Sequence, residues 1–92
     1  MQVINNGKAE PIDPSKISQA IAQTFKDNHD SDLNCVSLLT LRVISAAQSR
    51  YGLSPTMEQL QDATEEVLMQ SGFYDIAKKY IIARYERQKG NK

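Results

Sequence analysis

Glu10, Asp13 and Lys16 stand at three-residue intervals near the start of a 92-residue chain, and Arg87 stands near its end. Carboxylates accept hydrogen bonds from amino groups, while lysine and arginine bind phosphate or carboxylate oxygens. No grouping in the chain has the form of an enzyme's reacting residues. The serines lack a nucleophile-elbow context, and neither a glycine-rich loop nor an HExxH pattern occurs. His29, beside Asp30 and Asp32, reads as an exposed loop histidine rather than a general base. Cys35 is the single cysteine, which excludes an internal disulfide, and with His29 it makes no structural zinc set. It reads as a buried structural thiol, with a reactive thiol near a helix start as the alternative.

Composition narrows the partners. Eleven basic and eleven acidic residues cancel, so the whole chain offers no electrostatic attraction for nucleic acid or an anionic membrane. The balance is uneven, however. From residue 78 onward Lys78, Lys79, Arg84, Arg87, Lys89 and Lys92 face one acid, Glu86, and an anion site should draw on that segment. The N-terminus lacks the apolar core of a signal peptide, and no apolar run has membrane-spanning length. These features lead us to expect one cytoplasmic domain over 1–92, with a modest core and no catalytic domain of its own.

The elements that must position the charged residues are legible from punctuation and periodicity. Asn6-Gly7 is the strongest two-residue hairpin signal and predicts a hairpin over about 2–12. Pro11 cannot donate to a ladder, so the second strand is expected at an edge. Asp13-Pro14 reads as an N-cap followed by proline at the first helical position. Ile17, Ala20, Ile21 and Phe25 then give a helix over about 14–28 its apolar face. A second helix, about 33–50, carries Val36, Leu39, Val43, Ala46 and Ala47, with Leu38, Leu41 and Ile44 widening the stripe. That breadth predicts burial on more than one side. Thr56 and Gln59 form a capping-box pattern opening a third helix, about 57–71, which buries Leu60, Ala63, Val67 and Leu68. A fourth, about 73–88, buries Phe73, Ile76, Ala77, Tyr80 and Ile81. The expected fold is mostly α (α+β): a four-helix bundle capped by a small N-terminal β-hairpin, with a third strand if another segment pairs with it.

Two phrases carry a family resemblance. The first is Val3-Ile4-Asn5-Asn6-Gly7-Lys8-Ala9-Glu10-Pro11-Ile12-Asp13-Pro14-Ser15-Lys16-Ile17. The second runs from Leu60-Gln61-Asp62 to Gly72-Phe73-Tyr74-Asp75-Ile76-Ala77-Lys78-Lys79-Tyr80-Ile81-Ile82-Ala83-Arg84-Tyr85-Glu86-Arg87. Together they resemble the ATP-cone, the nucleotide-sensing domain at the N-terminus of ribonucleotide reductases, most closely the cones of anaerobic and related classes. The reductase-gene repressor's cone fits less well, and its preceding zinc ribbon is absent.

The resemblance implies a regulatory domain that binds ATP or dATP as effector, with Mg2+ and no intrinsic cofactor. It places the nucleotide against Val3, Asn5, Asn6, Lys8, Glu10, Asp13, Lys16, Ile17, Gln61 and Arg87. Glu10 and Asp13 would read the adenine amino group, Ile17 would cover the ring, and Lys16 and Arg87 would meet phosphates. One departure matters. The family has a Lys-Arg pair before the turn, where this chain has Asn5 and Asn6, in a segment shorter by one residue. Two neutral amides can donate hydrogen bonds but cannot offset phosphate charge, which leaves Lys8, Lys16 and Arg87 to compensate. Each residue also has a structural reading: Asp13 as a cap, Glu10 as a solvated strand residue, Arg87 as the complement of a helix dipole. Two functions follow. One is an activity-control module, whether an excised reductase domain or a stand-alone cone, that docks on a reductase catalytic subunit or self-associates. The other is a degenerate cone that binds no nucleotide and serves protein interaction or oligomerisation. A helical nucleic-acid binder is disfavoured by the zero net charge.

Overall fold

The computed structural model of the chain describes residues 1–30 and 33–90, with the backbone alone at 88–90. Asp32, the Lys89 side chain and Lys92, all noted above, lie outside the described residues. In chain order the elements are β1 (Gln2–Asn5), β2 (Lys8–Pro11), α1 (Pro14–Asp27), α2 (Val36–Tyr51), α3 (Met57–Gln70) and α4 (Tyr74–Gly90). This is the mostly-α architecture with an N-terminal hairpin that the patterning predicts.

Local chemistry explains each boundary. Asn6 and Gly7 take φ of 53° and 80°, the left-handed pair that a tight hairpin demands. The strands pair antiparallel, with Val3 opposite Glu10 and Asn5 opposite Lys8. The other edge of β1 does not gain a full third strand. It donates Gln2 N–H to the Leu53 carbonyl at 2.9 Å and Ile4 N–H to the Pro55 carbonyl at 2.8 Å, and Ile4 forms an isolated parallel bridge with Thr56. Proline at position 55 lacks the N–H that a continuing ladder would need.

Helix α1 starts at Asp13, whose carboxylate accepts from Ser15 N–H at 3.0 Å and Ser15 Oγ at 2.7 Å. The Thr56–Gln59 capping box forms as the sequence suggests, at 3.1 and 3.0 Å. At the far end of α3, Phe73 N–H reaches the Leu68 carbonyl and Gly72 N–H the Met69 carbonyl. This is a Schellman motif, which needs the positive φ of Gly72, here 86°.

The helices close into a ring. α1 packs on α2, α2 on α3, α3 on α4 and α4 on α1, while β1 leans on α3. Ile21, Phe25, Leu39, Val43, Ala63, Leu68, Ile76 and Ala77 fill the centre, and Phe25 meets Phe73 with ring centroids 5.4 Å apart. Buried hydroxyls find local partners: Thr40 donates to the Val36 carbonyl at 2.8 Å and stands 2.8 Å from Ser18 Oγ across the α1–α2 seam.

Three expectations change. α2 is not central: in a ring it has two neighbours and one inner face, so Leu38 and Leu41 remain 51% and 64% exposed. Ile81, on the outer side of α4, is likewise exposed. Cys35 is half-buried at the N-cap of α2 rather than fully enclosed. His29 is exposed in a left-handed turn, φ 57°.

Candidate functional site

The hairpin end of the bundle holds a cleft of about 220 Å³ between the hairpin, α1, α3 and α4. Strand alternation puts Val3 and Asn5 on one face of β1, and both line the cleft, as does Glu10 from the paired strand. The start of α1 contributes Asp13, Lys16, Ile17 and Ala20 at helical spacing. Met57, Leu60, Gln61 and Thr64 form the facing side of α3, and Tyr80 and Arg87, two turns apart, come from α4.

Val3, Asn5, Glu10, Asp13, Lys16, Ile17, Gln61 and Arg87 are therefore brought together from β1, β2, the start of α1, α3 and α4. Asn6 and Lys8 are not among the lining residues. Asn6 occupies the left-handed turn position at the hairpin tip, and Lys8 is exposed beside it. Lys8 nevertheless shares a sheet face with Asn5, its cross-strand partner.

Several lining residues carry no obvious sequence signal. Met57, Leu60 and Thr64 follow an i, i+3, i+7 rhythm that reads as core, and Tyr80 reads as core too. Thr64 and Tyr80 are indeed buried, at 3% and 5% exposure. Only the junction of α3 and α4 shows that they also form a floor.

The electrostatics divide by position. At the mouth, the hydrogen bonds from the Ser15 side chain and backbone, with help from Lys16, hold the Asp13 carboxyl below its usual value. Burial pushes the Tyr80 phenol up, opposed by a hydrogen bond with Thr64 and by Arg87 and Arg84. Tyr80 is thus a neutral hydrogen-bonding group at ordinary pH.

Arg84 and Arg87 differ sharply. Arg84 turns to α3, where Nη1 meets Asp62 at 2.7 Å and Glu65 at 2.6 Å and Nη2 reaches the Glu58 carbonyl at 3.4 Å. Arg87 has no ion-pair partner among the described residues and faces the cleft, as does exposed Lys16. Two unpaired cations at the mouth, apolar walls and two carboxylates can hold an anionic ligand with a flat, partly apolar body. Among the described residues no grouping of His, Cys, Asp or Glu could hold a metal ion, and no helix is long and apolar enough to cross a membrane.

The family described as ATP cone domain matches residues 1–89. The chain is 32% identical over 90 residues to the ribonucleoside-diphosphate reductase subunit alpha of Chlamydia pneumoniae, covering 89% of this chain and 9% of that protein. It is 29% identical over 91 residues to the vitamin B12-dependent ribonucleoside-diphosphate reductase of Thermoplasma acidophilum, covering 94% of this chain and 12% of that enzyme. The chain thus spans about a tenth of the length of the curated relatives it matches. With the family match running from the hairpin to the last helix, the chain belongs to the ATP cone domain family.

Proposed function

We propose that the chain is a regulatory nucleotide-binding module that takes ATP or dATP, with Mg2+, in the cleft at the hairpin end. The observation that carries this reading is the pairing of apolar walls with two cations at the mouth, Lys16 and Arg87, that have no ion-pair partner among the described residues. A volume of about 220 Å³ is below the common range for ligand pockets, roughly 300–1,000 Å³. It suits a nucleoside held inside with its phosphates at the rim. Glu10 and Asp13 accept from the base amino group, Ile17 covers the ring, and Gln61 lies between base and phosphates. Two side-chain cations are fewer than the charges of a triphosphate, so Mg2+ takes a share of the neutralisation that a Lys-Arg pair would otherwise supply.

The proposed output is allosteric control of a ribonucleotide reductase. Nucleotide would alter how the module packs on a reductase catalytic subunit or on a second copy. Such a switch requires differential affinity for two assembly states.

Isothermal titration with ATP and dATP tests the reading. It expects saturable micromolar binding with Mg2+, weakened at least tenfold by Lys16→Ala or Arg87→Ala. Absence of heat at millimolar nucleotide would overturn it. One observation favours the alternative of a degenerate, interaction-only cone: the neutral Asn5 side chain occupies the cleft wall. That alternative expects no titration signal but concentration-dependent assembly in sedimentation.

A further inference from the structure

Val3 and Asn5 on β1 and Glu10 on β2 all line the cleft. The register sets Val3 opposite Glu10 and Asn5 opposite Lys8. Residues directly opposite in an antiparallel pair project from the same side of the sheet, as do residues two apart along one strand. Both relations put Lys8 on the cleft face of the hairpin, across from Asn5 and next in line after Glu10. Lys8 is exposed and has no ion-pair partner among the described residues. Its flexible four-carbon stem lets the ammonium reach over the mouth without any movement of the backbone.

Lys8, Lys16 and Arg87 differ in depth. Lys16 and Arg87 belong to the lining, whereas Lys8 stands outside it, beside the Asn6-Gly7 turn. Glu10 lies about 7 Å back along β2 from Lys8. A ligand with its amino group at Glu10 that leaves the mouth along the hairpin therefore comes to Lys8 last. Asn5, across from Lys8, can donate hydrogen bonds there but carries no charge.

On the reading that the cleft takes an adenine nucleotide, we propose that Lys8 binds the terminal phosphate and makes the site selective for a triphosphate over the matching diphosphate. The charge that Asn5 lacks is supplied from the facing strand. Lys16 and Arg87 serve the inner phosphates, which the triphosphate and diphosphate share, so only the outermost cation separates the two. The module would then respond to the number of phosphates on a nucleotide as well as to its base.

The test titrates ATP, ADP and AMP, each with Mg2+, into the purified chain as wild type, Lys8→Ala, Lys8→Arg, Lys16→Ala and Lys26→Ala. Lys8→Ala is expected to weaken ATP roughly tenfold and to leave ADP, AMP and the melting temperature near wild type. Lys8→Arg should keep the preference for ATP over ADP, and Lys16→Ala should weaken both. Lys26 is exposed in the last turn of α1, at the opposite end of that helix from the cleft. It controls for net charge, and Lys26→Ala should change no affinity. If Lys8→Ala binds every nucleotide as wild type does while Lys16→Ala weakens ATP, the Lys8 contact is overturned and the site reading stands. An equal loss of ATP, ADP and AMP in Lys8→Ala, or a matching loss of ATP in Lys26→Ala, would also overturn it, since neither singles out the terminal phosphate. If wild type binds no ATP, both are overturned.

Discussion

Arg84 and Glu65 form an ion pair of 2.6 Å in which both side chains are more than four-fifths removed from solvent, at 16% and 17% exposure. The pair joins α4 to α3 on the flank of the cleft, one turn from Arg87 on one helix and one turn from Gln61 on the other. It engages Arg84 with α3, while Arg87 lines the cleft. Removing one partner of a partly buried pair leaves the other charge poorly solvated. We expect Arg84→Met to lower stability by about 2 kcal/mol, read as a lower urea midpoint. Arg84→Met combined with Glu65→Gln should recover part of that loss, because no charge is then stranded.

The two asparagines before the turn should respond differently. Asn5 lines the cleft and Asn6 holds a positive φ at the hairpin tip. Asn5→Lys places a cation at the mouth and should tighten ATP binding tenfold or more. Asn6→Lys adds the same charge outside the lining and forces lysine into the left-handed region, so it should leave affinity nearly unchanged and lower the melting temperature. Titration calorimetry and thermal unfolding separate the two.

Asp13 makes stability depend on acid. Its folded-state pKa is held below the ordinary 3.8 by Ser15 and Lys16, so its contribution is present above that value. The contribution is lost as pH falls through the lower, folded-state value. The difference in melting temperature between wild type and Asp13→Asn should be constant above roughly pH 5 and shrink toward zero on acidification. A difference that grows on acidification would show that the cap is not the charged carboxylate.

Thr56 ties the hairpin to the opening of α3. Its hydroxyl accepts from Gln59 N–H, and its backbone N–H is satisfied by the Gln59 side chain. Thr56→Ala should cost about 1 kcal/mol in chemical denaturation. Amide exchange should rise first over the opening turn of α3 and at Ile4, whose strand bridges to Thr56.

Phe25→Ala empties a core position near the end of α1, where Phe25 is 1% exposed and meets the ring of Phe73, just before α4, at a tilt. A loss of about 3–5 kcal/mol is expected, a large share of the stability of a domain this small. Circular dichroism with urea would measure it.

Much of this protein is written in local chemistry. Asn6-Gly7, Asp13-Pro14, the Thr56–Gln59 box and Gly72 act within a few residues, so the hairpin and the helix boundaries follow from the chain itself. The spacing of Glu10, Asp13, Lys16 and Ile17 is also local, since one strand end and one helix start place them together. Which outer residues stay wet was not decided locally. Leu38, Leu41 and Ile81 have the composition of a buried face, yet a closed ring of four helices offers each helix one inner side. The floor of the cleft was not local either: Thr64 and Tyr80 look like ordinary core until α3 and α4 meet with a gap between them. Finally, Arg84 and Arg87 are near neighbours of similar charge on one helix. Only the acids across the α3 interface, Asp62 and Glu65, capture the first and leave the second without an ion-pair partner among the described residues, because an ion pair depends on which carboxylates come within reach in space.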